Sequence, residues 1–328
     1  MKNYDVYGLG NALVDIEFEV SPDVLQDCGI EKSVMTLIDS DRQQELADRL
    51  QPYYRKRSCG GSAANTMIAI SQFGGKAFYS CKVAADETGA FYLADLQNCG
   101  VDSNSHKDSS GSGVTGKCLV LLTPDADRTM NTFLGITADF SEAELVPEAI
   151  VEASYTYIEG YLVTSPTGLN AAIKAREIAQ NSGKKVSLSL SDPNMARFFK
   201  PGLLEILGTG VDLIFANEGE ALDLAESGDL KDAIAYLQTL SKAFAITRGA
   251  QGSLVYDGEN FLNIDPVVVQ AIDTVGAGDM YAGAFLYGLT HGFSYLSAGI
   301  LASRASAQIV TEFGPRLSTA TVQTLLVS

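Results

Sequence analysis

Short apolar runs alternate with amphipathic stretches along most of the chain. Residues 4–10, 77–83, 155–158, 185–190, 211–216 and 243–247 are dense in Val, Ile, Leu, Tyr, Phe and Ala, as buried strands are. Between them, residues 41–50, 62–72, 91–98, 168–181, 221–225 and 232–240 have helical character. Ser40 is placed to cap the first of these helices. Two more helices are predicted over 277–290 and 295–311. Strand and helix recurring in this order predict an α/β fold with a doubly wound, mostly parallel sheet.

Two regions break the rhythm. Residues 13–20 and 33–38 are strand-like with no helix expected between them. Residues 117–123 and 128–135 flank the turn Pro124-Asp125-Ala126-Asp127, a hairpin signal. These four strands are expected to form a small β-sheet lid, built from about 13–38 and 114–136, over the ligand edge of a single domain spanning 1–328. Residues 102–113, rich in Ser and Gly, are expected to be a loop.

Composition narrows the function. Of 328 residues, 46% are hydrophobic and 19% charged, so a sizeable core is available. The net charge of −17 argues against nucleic acid or a membrane surface as partner, because phosphate contacts need clustered Lys and Arg. Five cysteines without C-x-x-C spacing suggest reduced thiols in a cytoplasmic setting. His106 and His291 are too few for a His-rich zinc site. The N-terminal residues enter a strand pattern without a signal-like apolar run, and the longest apolar stretch, 282–289, is too short to span a membrane.

Three glycine-rich stretches compete as phosphate loops. Residues 8–15, GLGNALVD, open like a dinucleotide fingerprint, but Leu13 stands where its third glycine belongs. Residues 111–118, GSGVTGKC, end in Cys118 where a phosphate loop of the G-x-x-x-x-G-K type needs Ser or Thr, and a strand follows. Residues 273–289, DTVGAGDMYAGAFLYGL, have the right mechanics. Gly276, Ala277 and Gly278 let backbone approach a ligand, and the helix behind them aims free N–H groups and its dipole at an anion. Asp279, in the first turn, is placed to take a proton from a hydroxyl attacking a phosphoryl group. An ordinary acidic first turn beside a packing loop explains the spacing equally well.

Two motifs together resemble the ribokinase/PfkB carbohydrate kinase family. Residues 273–286 are similar to its C-terminal signature D-T-x-G-A-G-D, and residues 60–65, GGSAAN, to its N-terminal G-G-x-x-x-N. The resemblance covers essentially the whole chain and implies a ribokinase-like α/β domain with a β lid, an ATP-dependent kinase whose base is Asp279 and whose anion hole is Gly276, Ala277 and Gly278. Asn217 and Glu220 resemble the family's N-x-x-E motif, implying contacts to ATP phosphates and to Mg2+ through water. Thr247, Arg248 and Gly249 resemble its T-x-G turn at ATP, and Asp273 with Thr274 its place for a monovalent cation, usually K+. Asn11, Asp15, Gly60, Gly61 and Asn65 resemble its acceptor contacts. Without the other motifs, Asn217 and Glu220 would be read as a helix cap, and Asn65 as capping its own helix.

The chain most resembles the adenosine kinase branch, through GNALVD near its start and Arg128 on the second hairpin strand. The expected reaction is phosphorylation of a ribonucleoside 5′-hydroxyl, adenosine first. Eukaryotic members of that branch cover the base with paired phenylalanines; Tyr161 and Leu162 stand here instead. A sugar acceptor such as ribose or fructose is the alternative, and a non-catalytic nucleotide sensor a third reading. Lid strands of the family either face solvent or pair between subunits, so monomer and homodimer both remain open.

Overall fold

A computed structural model describes residues 3–32, 35–106, 112–125 and 128–326. The strands are β1 (Tyr4–Leu9), β2 (Leu13–Glu19), β3 (Met35–Leu37), β4 (Tyr54–Gly60), β5 (Ala77–Ser80), β6 (Asp102–Ser103) and β7 (Gly116–Leu122). They continue as β8 (Arg128–Phe133), β9 (Ala153–Glu159), β10 (Lys185–Ser189), β11 (Val211–Asn217), β12 (Ser241–Thr247), β13 (Ser253–Tyr256) and β14 (Phe261–Ile264). The helices are α1 (Pro22–Asp27), α2 (Ser40–Leu50), α3 (Ser62–Phe73), α4 (Glu87–Asn98), α5 (Pro147–Glu152), α6 (Pro166–Asn181) and α7 (Pro193–Phe198). The rest are α8 (Lys200–Leu207), α9 (Glu218–Ala225), α10 (Leu230–Leu240), α11 (Ala277–Thr290), α12 (Tyr295–Ile309) and α13 (Thr319–Thr324).

The main sheet has nine strands in the order β14-β13-β12-β11-β10-β9-β1-β5-β6, parallel from β12 through β6. Its inner strands are apolar on both faces because each face meets helices. Along β11, Leu213 and Phe215 point into the layer holding α3, α11 and α12, and Ile214 and Ala216 into the layer holding α6, α9 and α10. Ala243, Phe244, Ala245 and Ile246 alternate between the same two layers on β12. The expected doubly wound sheet is therefore present. The antiparallel edge pair β13 and β14 was not anticipated.

The order turns at β1: the chain passes to β5 on one side and returns at β9 on the other. Parallel sheets bind ligands at such a switch, beyond the carboxyl ends of the strands. Asn11, Tyr161 and the start of α3 all lie at that edge.

The lid is a second sheet of five strands, β3-β8-β7-β2-β4. Phe18, Val20, Leu119 and Leu121 on one face pack with Leu25 of α1 and Leu46 and Leu50 of α2. Four of its strands were expected; β4 was not, because YRKRSCG has no apolar alternation. It is an edge strand, where Arg and Lys are tolerated and discourage edge pairing. Two further expectations are corrected. Helix α1 does lie between β2 and β3, with Pro22 supplying its first turn. Ser40 is the first residue of α2 rather than its cap; the Asp39 carboxylate accepts from the Arg42 N–H at 2.8 Å. Of the strand expected over 33–38, residues 33 and 34 lie outside the described residues, as do Ala126 and Asp127 of the turn and 107–111 of the loop.

Candidate active site

The switch point is built around a buried carboxylate. Glu159 ends β9 and is 1% exposed. Its Oε1 accepts from the Asn11 N–H and Nδ2, each at 3.2 Å, and its Oε2 accepts from the Ala63 N–H at 2.8 Å. One side chain thus ties the turn after β1 to the first turn of α3. Asn11 Oδ1 also accepts from Thr137 Oγ1 at 3.4 Å. Expected as an acceptor contact, Asn11 is largely spent on shaping this corner. Gly61 starts α3 with φ +94°, and a Cβ there would lie 2.2 Å from the Asn11 carbonyl. The second glycine of GGSAAN is thus a steric necessity.

Helix α11, like α3, begins at a glycine without a side-chain cap. Its N-cap is Gly276, φ +78°, with no side-chain cap, and a Cβ there would meet Pro315 Cα at 2.7 Å. No acceptor among the described residues takes the N–H groups of Gly278 and Asp279, and nothing lies within 4 Å of where a Gly278 Cβ would stand. Open amides at the positive end of a 14-residue helix are free to receive an anion.

Asp279 stands beside that site. Its Oδ1 accepts from Ser62 Oγ at 2.6 Å and its Oδ2 from Asn65 Nδ2 at 3.1 Å. Burial pushes its carboxyl up to about 6, against the lowering effect of those two hydrogen bonds. A carboxylate has about four lone pairs, so two remain for a hydroxyl proton. Across from it, on lid strand β2, Asp15 accepts no hydrogen bond from the described residues. Burial raises it to about 7, Arg316 and Arg128 pull it down, and Asp279 is among the charges that push it up. A Cβ on Gly60 would fall 2.3 Å from Asp15 Oδ1, so the first glycine of GGSAAN makes room for this carboxylate.

The N-x-x-E residues form a reciprocal capping box on α9. Asn217 Oδ1 accepts from the Glu220 N–H at 2.8 Å, while Glu220 accepts from the Asn217 N–H at 2.9 Å and Nδ2 at 2.7 Å. The cap alternative for this pair is therefore realised. Glu220 remains in the field of the site: burial first, then Asp192 and Asp279, push it up to about 7. Arg248 donates from Nε to Glu218 at 2.9 Å and from an Nη to Gln251 at 2.8 Å. Thr247 and Gly249 line a cavity of about 350 Å³ that runs past Val268 to Thr274, Gly278 and Ser306.

Tyr161 shares the field of Asp192, Glu159, Asp279 and Glu220. Leu162 is 2% exposed and sits inside the core layer against which Tyr161 also packs, because the 3-10 turn Gly160–Thr164 turns it inward. The expectation of Leu162 as acceptor cover is corrected.

Among the described residues, no three His, Cys, Asp or Glu side chains converge as a cage for a metal. Magnesium bound through phosphate oxygens and water fits the surplus negative charge of Glu220, Asp192 and Asp279. Potassium fits less well. The Asp273 carboxylate accepts from the N–H groups of Val275 at 3.1 Å and Gly314 at 2.7 Å, and it is ion-paired with Arg128 of the lid.

An open helix start, a raised carboxylate beside it and a facing lid are the parts of a phosphoryl-transfer site. The description "pfkB family carbohydrate kinase" matches residues 33–322. The chain belongs to this family. Its members transfer phosphate to a hydroxyl acceptor. This PfkB kinase is 27% identical to adenosine kinase of Saccharomyces cerevisiae over 94% of its own length and 95% of the relative's. Among solved structures it is similar to the adenosine kinase of Sinorhizobium meliloti, at 34% identity, TM-score 0.89 and coverage of 99% and 100%. It is as similar to a probable sugar kinase of Rhizobium etli CFN 42, at 32% identity, TM-score 0.90 and coverage of 100% and 99%.

Several residues of this kinase's site escaped the sequence reading. Ser62 sits inside the quoted GGSAAN motif, one residue from its glycines, but no rule of spacing aims its hydroxyl at a residue 217 positions away. Glu159 follows the strand expected over 155–158, and no motif marks it. Tyr281 and Ser306, which line the cavity, have the spacing of ordinary core helix positions.

Proposed function

We propose that this PfkB kinase phosphorylates the primary hydroxyl of a ribonucleoside from ATP, adenosine foremost. The observation carrying the reading is the pairing of two carboxylates across the cleft, Asp279 beside the open amides of α11 and Asp15 on the lid with no hydrogen-bond donor among the described residues. Asp15 would accept from the vicinal hydroxyls of a ribose, a bidentate arrangement suited to a carboxylate. Asp279 would take the proton as the acceptor oxygen bonds to the γ-phosphorus and the bond to the ADP oxygen breaks. Gly278 and Asp279 N–H would stabilise the charge gathering on the phosphoryl oxygens. The adenine of ATP would fill the cavity beside Thr247, Gly249 and Val268. Glu220 would hold magnesium through water, and the metal would neutralise charge on the phosphates.

The lid would keep water from the phosphoryl group. Asp279 is matched to this task because its raised carboxyl is still ionised at neutral pH yet more basic than an exposed one.

A sugar acceptor is favoured by one observation: with Leu162 in the core, Tyr161 alone of the expected pair is left to cover a base. ADP release with MgATP across a panel of nucleosides and sugars tests the choice. Turnover confined to adenosine supports the first reading, and ribose or fructose preferred over every nucleoside supports the second. Asp279→Asn should bind both substrates and lose about 10²–10⁴-fold in kcat; near-normal turnover would remove Asp279 from the mechanism.

A further inference from the structure

Three consecutive residues after α12 each hold a different part of the site. Gly314 donates its N–H to Asp273 Oδ2 at 2.7 Å. Pro315 packs against Gly276, filling the space where a Cβ would be. Arg316, its side chain 15% exposed, donates from Nε to Asn65 Oδ1 at 3.2 Å and from Nη1 to Asp95 Oδ2 at 2.9 Å. Asp95 is itself fixed, because Oδ2 also accepts from the Cys59 N–H at 2.9 Å.

This chain ends at the reacting carboxylate. An asparagine side chain can present either its oxygen or its NH2 to a neighbour, and the difference is decisive beside a base. Guanidinium has donors only. By donating to Oδ1, Arg316 leaves Asn65 one useful orientation, with Nδ2 towards Asp279 Oδ2 at 3.1 Å. The reverse orientation would set the amide oxygen against a carboxylate.

We propose that Arg316 is a positioning residue for catalysis: through Asp95, Arg316, Asn65 and Asp279 it locks the Asn65 amide so that the base is held in one place, and the segment Gly314, Pro315 and Arg316 braces base and phosphate loop together. The proposal rests on Asp279 being the general base. Asn65, expected to contact the acceptor, acts here on the base instead.

The sign of the pH effect follows from the bond. An N–H donated to a carboxylate favours its ionised form, so losing the Asn65 bond raises the Asp279 pKa. The groups sharing the field of Asp279 are Asp15 on β2, Tyr157 and Glu159 on β9, Tyr161 after it and Glu220 on α9. Of these, Asp15 also feels Arg316, which pulls its carboxyl down; Arg316→Met removes that charge, whereas Arg316→Lys keeps a cation there.

The test is the pH profile of kcat for Arg316→Met and Arg316→Lys, with Asn65→Ala and the Asn65→Ala/Arg316→Met double variant. Arg316→Met should lower kcat about 10- to 100-fold with little change in KM for ATP, and its acid limb should move up by about half a unit. The double variant should be no worse than Asn65→Ala alone, since both break one relay. Arg316→Lys keeps a cation beside Asp95 but loses the planar fork, so it should shift the limb too. Lysine restoring the wild-type profile, or additive losses in the double variant, would reduce Arg316 to an ion-pair partner and overturn the proposal. If Arg316→Met does not fold, Arg316→Lys carries the test. Failure of the base reading is told apart by the wild type, which would then lack an acid limb that Asp279→Asn abolishes.

Discussion

Helices α9 and α11 both start at the ligand edge of the main sheet, and both carry an acid in the first turn. Their ends are finished in opposite ways. On α9, Asn217 and Glu220 exchange hydrogen bonds, so the N–H groups of Asn217 and of Glu220 in the first turn are satisfied by side chains of the same helix start. On α11 the cap is a glycine with no side chain to offer, and the amides of Gly278 and Asp279 stay open. A helix start that satisfies itself is finished structure; one left open by a left-handed glycine keeps its dipole and donors for an anion. The two acids differ accordingly. Glu220 is turned back onto its own helix, while Asp279 is held from outside by Ser62 and Asn65 and faces the cleft.

The sharpest way to break this contrast is Gly276→Ala. A left-handed alanine costs about 1–2 kcal/mol, and its Cβ would collide with Pro315. We expect kcat to fall about 100-fold, as for a misplaced reacting group, with the melting temperature lowered by about 2–8 °C. Unchanged turnover would deny the open helix start its role.

Asp15→Asn comes next. It should raise the acceptor KM about 10- to 100-fold, the value of a charged hydrogen-bond pair, with ATP KM unchanged. The same variant should melt higher than wild type at pH 8. A carboxyl whose folded pKa exceeds its unfolded value stabilises below the unfolded value and loses that contribution as pH rises through about 7. Above pH 7 the charge on half-buried Asp15 is a cost that asparagine removes, so a lower melting temperature at pH 8 would show that Asp15 is structural.

A smaller effect is the acid limb of the wild type. With Asp279 raised to about 6, kcat should fall through that pH rather than near the ordinary carboxylate range. A profile flat down to pH 5 would place the base elsewhere. The smallest effect tests α9: Asn217→Ala should cost about 1 kcal/mol of cap stability, read as a melting temperature lower by about 2–4 °C. A loss of activity comparable to Gly276→Ala would erase the distinction between the two helix starts.

Much of this was legible beforehand because local rules suffice for it. Apolar runs separated by amphipathic helices demand a two-sided parallel sheet, and Gly60, Gly61 and Gly276 of the two glycine motifs lie where a Cβ would collide. Strand β4 was not legible, since a polar edge strand has no apolar face to reveal it, and β13 and β14 are only four residues each, too short to show a period. Asn65 and Leu162 show the limit at the site. Both were placed at the acceptor by motif, yet the Asn65 amide bonds to the Asp279 carboxylate and the Leu162 side chain lies in the core.

The sequence alone determined the α/β class, the lid as a separate sheet and the helix start that ends in Asp279, because periodicity, glycine and the helix dipole act over a few residues. Only the tertiary structure decided which donors reach Asp279, that Asp15 faces it with no hydrogen-bond donor among the described residues, and that Arg316 stands behind Asn65. Those are contacts between residues 200 or more positions apart in Asn65, Ser62 and Arg316, and no local rule carries orientation over such a distance.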